Sequence, residues 1–172
     1  MSQTERFLSN NHIISMVVPV ADFNATGVTT NEVCMSRWDH ATFLVVTGAN
    51  ASADEPHFVV QSCADTSATG ATAIGFDYSE TDGETQTNRN DWADYTRKTS
   101  AGYQTNTASA VNLMYIIEVD AAELSATAGI NHEYVRLVMT ESGSTGVTGC
   151  VICILSDPRF STDPSQHADE TA

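Results

Sequence analysis

Two of the four cysteines, Cys150 and Cys153, have the C-x-x-C spacing found in zinc sites and redox centres. A zinc knuckle needs a tight turn between its thiolates, but the two residues between these cysteines are β-branched and favour an extended chain. Along a strand, positions i and i+3 lie roughly 10 Å apart and face opposite sides, beyond the roughly 7 Å Cα limit of a disulfide. We therefore predict that all four cysteines, including Cys34 and Cys63, are reduced, buried and metal-free.

Asp39 and His40 could supply two members of a hydrolase triad, with a serine from a loop as the nucleophile. Geometry defines a triad, however, so we interpret Arg37, Asp39 and His40 as the polar start of a strand, with Arg37 paired to a carboxylate. His132 and Glu133 are interpreted as a polar turn before another strand. The sequence contains no P-loop, no dinucleotide-binding glycine motif, no H-E-x-x-H and no G-x-S-x-G. We predict that the protein is not an enzyme and has no catalytic residues.

Acidic residues between positions 77 and 84 raise the possibility of a calcium loop. Aligning Asp82 and Gly83 with positions 5 and 6 of an EF-hand loop places Tyr78 at position 1 and Arg89 at position 12, where carboxylates are required. The segment is therefore interpreted as a solvated acidic turn. We predict no metal site and no cofactor.

Aromatic residues stand out in residues 79–104, an acidic and polar segment without a regular hydrophobic period. Long loops in compact domains are usually functional or mobile, and exposed aromatic side chains often anchor protein interfaces. The alternative is a lid that packs these aromatics back onto their own domain. The residues predicted to bind a partner are Phe7, Leu8, Trp92, Tyr95, Tyr103 and Phe160.

The elements that must position these residues are organised around residues 134–160. Alternate residues from 135 to 139 are apolar, which predicts a strand, and an apolar run returns over residues 151–155. Residues 141–149 are rich in Gly, Ser and Thr and have no period, as is typical of a loop. We predict that the two strands form a β-hairpin that ends at Pro158, because proline lacks the N–H that strand pairing requires.

The return strand is apolar on both faces, which places it inside a sheet or between two layers rather than at a wet edge. Its residues Ile152 and Ile154 share one face, and Val151, Cys153 and Leu155 share the other. The residues expected in one common core are Val45, Leu137, Ile152, Ile154 and one face of a strand over residues 112–120.

Other apolar segments predict further strands, separated by loops of Gly, Ser, Thr and Asp. They cover residues 13–20, 37–47, 57–63, 73–78 and 112–120, with Ile74, Phe76 and Tyr78 on one face. Asp120 and Glu123 have capping-box spacing, so a helical turn is predicted that ends near Gly129. Seven or eight strands without a long amphipathic helix predict an all-β fold, a single β-sandwich or jelly-roll-like domain over residues 13–160 with long loops. Residues 1–12 and 161–172 are predicted to be an N-terminal arm and a C-terminal tail.

The composition restricts the possible partners. The 172 residues carry 22 acidic and 7 basic side chains, a net charge of −15, and Lys98 is the only lysine. Nucleic acids and anionic membranes would repel such a chain, so neither is expected as a partner. The sequence shows no apolar run of membrane-spanning length and no secretory signal, which predicts synthesis in a cytoplasm.

Six segments follow one another in a recognisable order: residues 14–20, RWDHATFLVVTG from Arg37, HFVVQSCADTSATGATAIGF from His57, MYIIEVDAAEL from Met114, EYVRLVMT from Glu133 and CVICILSDPRF from Cys150. Together they resemble a family of small tailed-phage virion proteins. Members share a V-P-V-like segment near the start, an "IEVDxxEL" strand and turn, a "YVRL" strand and a closing "LSDPRF". The resemblance covers most of residues 13–160, and its motifs are structural. The four cysteines and the segment 79–104 depart from the family pattern.

The resemblance implies a structural protein on the capsid exterior of the virion, made in the host cytoplasm. Such a protein would decorate or cement the lattice of the major capsid protein, as a homo-oligomeric trimer or dimer. The alternative is a carbohydrate-binding β-sandwich module of a virion fibre or tail, in which Trp92 and Tyr95 stack on a sugar. A hydrolase that uses Asp39, His40 and a loop serine is a further competitor.

Overall fold

The computed structural model describes residues 7–20, 27–48, 56–81, 92–105, 113–127, 130–141 and 148–159. Within these ranges β-strands are the predominant structure. A short helix, α1 (Phe7–Asn10), and a 3₁₀ helix (Ala121–Glu123) accompany the strands. The strands are β1 (His12–Val20), β2 (Val28–Thr29), β3 (Val33–Cys34), β4 (Trp38–Thr47), β5 (Pro56–Cys63), β6 (Thr72–Ile74), β7 (Phe76–Glu80), β8 (Thr96–Lys98), β9 (Tyr103–Gln104), β10 (Met114–Asp120), β11 (Ala126–Thr127), β12 (Ile130–Asn131), β13 (Tyr134–Glu141) and β14 (Gly149–Pro158).

Two antiparallel sheets pack face to face. The first, here called the β4 sheet, has the order β1-β14-β4-β10-β7-β8. The second, the β5 sheet, has the order β2-β13-β5-β6, with β3 also paired to β13 and β9 to β5. A small ribbon of β11 and β12 stands beside them. The predicted all-β sandwich is confirmed.

The core lies between the two sheets, where alternate residues of the long strands point inward. Burial alternates along β4, β10 and β14, as expected when one face of a strand packs on the core and the other faces outward. Fully or almost fully buried core residues include Trp38, Phe43, Val45, Phe58, Val60, Phe76, Tyr115, Ile117, Val135, Leu137, Met139, Val151, Cys153 and Leu155.

The predicted hairpin over residues 134–160 is wrong. β13 pairs with β5, β2 and β3, whereas β14 pairs with β1 and β4 in the opposite sheet. The connecting segment exceeds the two to about five residues of typical hairpin loops, so it does not force the strands to pair. Each of the two apolar strands instead lies inside its own sheet, with neighbours on both sides, which completes its backbone hydrogen bonding.

The expected core face of β14 is also wrong. Val151, Cys153 and Leu155 are fully buried, whereas Ile152 and Ile154 are half-buried and face away from the core. Both faces of this strand are apolar, so its own pattern cannot distinguish them. Pairing with β4 decides the orientation, because Cys153 lies opposite the buried Phe43.

The strand predicted over residues 73–78 divides at Gly75. β6 belongs to the β5 sheet and β7 to the β4 sheet, so the chain crosses between layers at this glycine. A Cβ atom at Gly75 would lie 2.9 Å from the carbonyl oxygen of Lys98, which leaves no room for a larger residue. The predicted face is confirmed, because Ile74, Phe76 and Tyr78 are all buried.

Residues 79–104 contain more structure than predicted. β7 extends to Glu80, and β8 and β9 add short strands at the margins of the two sheets. Thr81 and Trp92 form an isolated bridge, and residues 82–91 lie outside the described ranges. β8 and β9 were not predicted, because strands of two or three residues are too short to show a hydrophobic period.

The helical turn after β10 is shorter than predicted. It is a 3₁₀ helix that ends at Glu123, followed by Leu124 in an extended conformation. The Glu123 carboxylate accepts a hydrogen bond from the backbone N–H of Asp120 at 3.4 Å, in the predicted capping-box arrangement.

Candidate functional site

The sequence-predicted partner-binding residues differ in their exposure. Phe7, Leu8, Trp92 and Tyr95 are all exposed, with Leu8 at 59% and Tyr95 at 54%. Tyr103 is half-buried, because its ring packs on Tyr78 with the ring centroids 4.3 Å apart. The ammonium group of Lys98 covers the Tyr103 ring, 3.8 Å from its centroid. Phe160 lies outside the described residues.

The exposed hydrophobic residues border the β4 sheet on two sides. α1 precedes β1, the strand at one edge, and Trp92 and Tyr95 precede β8, the strand at the other edge. Backbone contacts hold the second group in place, since Ala93 donates its N–H to the Glu80 carbonyl at 2.9 Å. The Ser79 hydroxyl donates to the Ala93 carbonyl at 2.7 Å.

Between these edges, the β4 sheet presents an apolar outer surface. Strand register places Cys150, Val46 and Met114 in one lateral row and Ile152, Leu44 and Ile116 in the next. Ile154 follows in the third row, beside the exposed Ile13 of β1. Apart from Ile13, these side chains are half-buried. We call this set the outer apolar face: Ile13, Leu44, Val46, Met114, Ile116, Cys150, Ile152 and Ile154.

An ionic cluster adjoins one end of this face. His40 Nδ1 lies 2.8 Å from an Asp120 carboxylate oxygen, and His40 Nε2 lies 3.5 Å from Glu118. The hydrogen bond to Glu118 makes the largest contribution in raising the pKa of His40 to about 9, partly offset by burial and assisted by Asp120. Glu118 raises the pKa of His40 more than the nearer Asp120 does, because solvent screens a less exposed charge less. The Glu118 side chain is 26% exposed, and the Asp120 side chain is 65% exposed. His40 is therefore a cation at neutral pH, and its proximity lowers the pKa of Glu118.

The Asp39–His40 pair of the hydrolase hypothesis does not assemble. Successive strand residues point to opposite faces, and the Asp39 carboxylate accepts a hydrogen bond from Arg159 Nε instead. Ser156 lies opposite His40 in the register of β14 and β4. Both ring nitrogens of His40 contact carboxylates, however, so a protonated His40 cannot take a proton from a serine.

A second serine–histidine contact lies inside the protein. The Ser62 hydroxyl is 2.8 Å from His132 Nδ1, and Ser125 donates its backbone N–H to the same hydroxyl oxygen at 3.3 Å. His132 also borders a cavity of about 130 Å³ whose walls include Leu124 and Arg159. Ser62 is fully buried, so its hydroxyl cannot reach an external substrate. The sequence predicts His132 in a polar turn, and its burial is visible only in the fold.

The cysteines confirm the predicted strand geometry, because Cys150 and Cys153 lie on opposite faces of β14. All four cysteines are free thiols. The predicted burial is confirmed for Cys34, Cys63 and Cys153. It is wrong for Cys150, which is half-buried because it lies on the outer apolar face. Burial raises the pKa of Cys63 to about 11 and also raises that of Cys153, so both thiols are protonated at neutral pH. Within the described ranges, no group of three or more His, Cys, Asp or Glu side chains is arranged to hold a metal ion.

Comparison with models of known protein families gives no match, and comparison with curated protein sequences gives no significant match either. In the part of the chain that the structure describes, no helix combines the length and apolar character needed to cross a membrane.

Proposed function

We propose that this protein is a structural virion protein that binds the outer surface of a tailed-phage capsid and decorates or cements the lattice of the major capsid protein. The observation that carries the proposal is the placement of Phe7, Leu8, Trp92 and Tyr95 at opposite edges of one sheet. Large exposed hydrophobic side chains of this kind act as anchors in protein interfaces. The resemblance to tailed-phage virion proteins, which covers most of residues 13–160 but not the segment 79–104, supports the same role.

The charge of the chain favours a basic partner surface. At a net charge of −15 with a single lysine, the protein is attracted to a capsid exterior that is comparatively rich in Lys and Arg. Binding should therefore weaken as salt concentration rises. A dimer or trimer placed across a symmetry axis would engage several sites at once and gain avidity without strong contacts per copy.

The chemistry of the two histidine sites supports a binding role over a hydrolytic one. His40 is held as a cation by two carboxylates, and Ser62 beside His132 is enclosed in the core. Neither arrangement provides an accessible nucleophile next to a neutral base.

The test is to add purified protein to capsids that lack it and to measure bound copies against concentration. Two variants accompany the intact chain, F7A/L8A for the helix and W92A/Y95A for the opposite edge. The proposal predicts saturable binding of the intact chain and at least tenfold weaker binding of one or both variants. Absence of binding by the intact chain at low salt would remove the capsid proposal.

Carbohydrate binding is a second candidate, favoured by one observation. Trp92 and Tyr95 are exposed on the same short segment, and the Tyr95 hydroxyl is hydrogen-bonded to the Glu118 carboxylate. Aromatic rings can stack on a sugar, and a neighbouring carboxylate can accept hydrogen bonds from its hydroxyl groups. Screening the protein against a glycan array tests this role, which requires a hit that W92A/Y95A loses and F7A/L8A keeps.

A further inference from the structure

The two outer faces of this sandwich differ in composition, although both belong to antiparallel sheets. On the β5 sheet the outer face is mixed: a Val59–Val138 pair lies among polar side chains. Arg136 donates there to Gln61 at 2.9 Å and pairs with Glu32 at 2.9 Å. Thr140 and His57 form a further cross-strand contact at 3.4 Å. An antiparallel sheet with one solvated face normally shows this alternation of apolar and polar residues. The outer apolar face of the β4 sheet breaks that rule over the strands β14, β4 and β10.

The outer apolar face is large enough to be the centre of an interface. Its residues lie on four adjacent strands, β1, β14, β4 and β10, and in three lateral rows, where the polar positions are Ser15, Thr42 and Glu118. Strand spacing and residue rise give roughly 15–20 Å in each direction, or about 200–400 Å² when the polar positions are included. Contiguous apolar patches of about this size on monomers are often functional. A stable complex buries roughly 800 Å² per partner, so the occupant must also contact the polar residues around the face.

Those polar residues are predominantly acidic. Glu118 and Asp120 lie at the end of the face around His40, and Asp77 is paired opposite Glu118 on β7. The nearby cation Arg97 is already engaged by Asp77 at 3.3 Å and by Glu123. A second copy of the chain would bring another net charge of −15 toward this border. Charge complementarity therefore favours an occupant with a basic border over self-association.

We infer that the outer apolar face of the β4 sheet is the surface that rests on the capsid, and that its binding site there is an apolar patch bordered by Lys and Arg side chains. The inference rests on the proposed function and specifies its contact. Trp92 and Tyr95 at one edge and α1 at the other then act as lateral anchors around a flat apolar centre. This arrangement follows the usual anatomy of protein interfaces, in which polar contacts surround a dry core.

Cys150 provides a reporter within the native sequence, because it is the half-exposed thiol on this face and the other three cysteines are buried. The protein, free or bound to capsids, is treated with a maleimide, and labelling of Cys150 is followed by peptide mass spectrometry. We expect labelling of the bound protein to be at least tenfold slower. Equal labelling rates on saturated capsids would overturn the inference while leaving the proposed function intact. Protection that appears in concentrated free protein without capsids would identify a second copy as the occupant and would also overturn it.

A matched pair of variants provides an independent measurement. L44T/I152T changes a cross-strand pair at the centre of the outer apolar face, and V59T/V138T changes the corresponding cross-strand pair on the outer face of the β5 sheet. Circular dichroism and urea melts establish that both are folded before use. We expect capsid affinity to fall at least tenfold for L44T/I152T and to stay within about twofold of the intact chain for V59T/V138T. Equal capsid affinities of the two variants would contradict the inference. Absence of capsid binding by the intact chain would contradict the proposed function itself.

Discussion

Truncation of neighbouring residues on β14 should distinguish the core face of the sandwich from its outer face. Leu155 is fully buried, whereas Ile152 is half-buried on the outer apolar face. Replacing either by alanine removes three carbon atoms, and each buried CH₂ is worth about 0.8 kcal/mol. Leu155→Ala loses the full burial free energy of about 2.4 kcal/mol and also leaves a cavity. Its free energy of unfolding should therefore fall by about 3–4 kcal/mol. For Ile152→Ala about half the transfer loss applies and solvent fills the space, giving about 1 kcal/mol.

Urea denaturation followed by circular dichroism measures both free energies of unfolding, with the slope checked for constancy between variants. In a domain of this size, the difference of about 2–3 kcal/mol corresponds to a gap of roughly 4–12 °C in melting temperature. A cost for Ile152→Ala equal to or above that for Leu155→Ala would refute the assignment of the two faces. It would also place Ile152 in the core, as its sequence pattern allowed.

Three further predictions concern polar pairing and backbone packing. The folded-state pKa of His40 is raised from 6.5 to about 9, so its stabilisation is complete below about pH 6.5 and is lost as pH rises through 9. In urea denaturation, the free energy of unfolding should fall by about 1–2 kcal/mol across this pH window, after allowance for solvent screening of the His40 ion pairs. H40Q should remove this pH dependence. Gly75→Ala should lower the free energy of unfolding by about 1–3 kcal/mol, because the added Cβ would meet the backbone of Lys98. An unchanged urea midpoint would show that β8 can move away from residue 75 without cost. Arg136→Met should cost about 2–3 kcal/mol by leaving the largely buried Glu32 carboxylate unpaired. Adding Glu32→Gln should recover part of this loss in a double-mutant cycle, and purely additive costs would contradict the pairing.

Part of the candidate site could be recognised from composition alone. Aromatic residues in an acidic, aperiodic segment predicted either exposed side chains or a lid packed on the domain, and Trp92 and Tyr95 are exposed. Tyr103 in the same segment packs on Tyr78 instead, because β9 pairs with β5 and returns this residue toward the sandwich. A local sequence pattern cannot distinguish the two outcomes, since each depends on where a distant strand lies.

The sequence by itself determined where the long strands run and which residues share a face. Alternation with a period of two is a local property of extended backbone, so Ile74, Phe76 and Tyr78 could be assigned to one buried face even though the chain changes sheets among them. The apolar character of both faces of β14 was equally visible. It predicted a strand inside a sheet, and β14 does lie between β1 and β4.

Only the tertiary structure decided which strands are neighbours and which apolar face turns inward. β13 and β14 are consecutive in the chain but lie in different sheets, because a long connection imposes no pairing and each strand gains two other partners. His40 meets Asp120, 80 residues away, through the register of β4 and β10. Strand pairing and layer packing depend on contacts between residues far apart in sequence, and for that reason the outer apolar face could be located only in the folded chain.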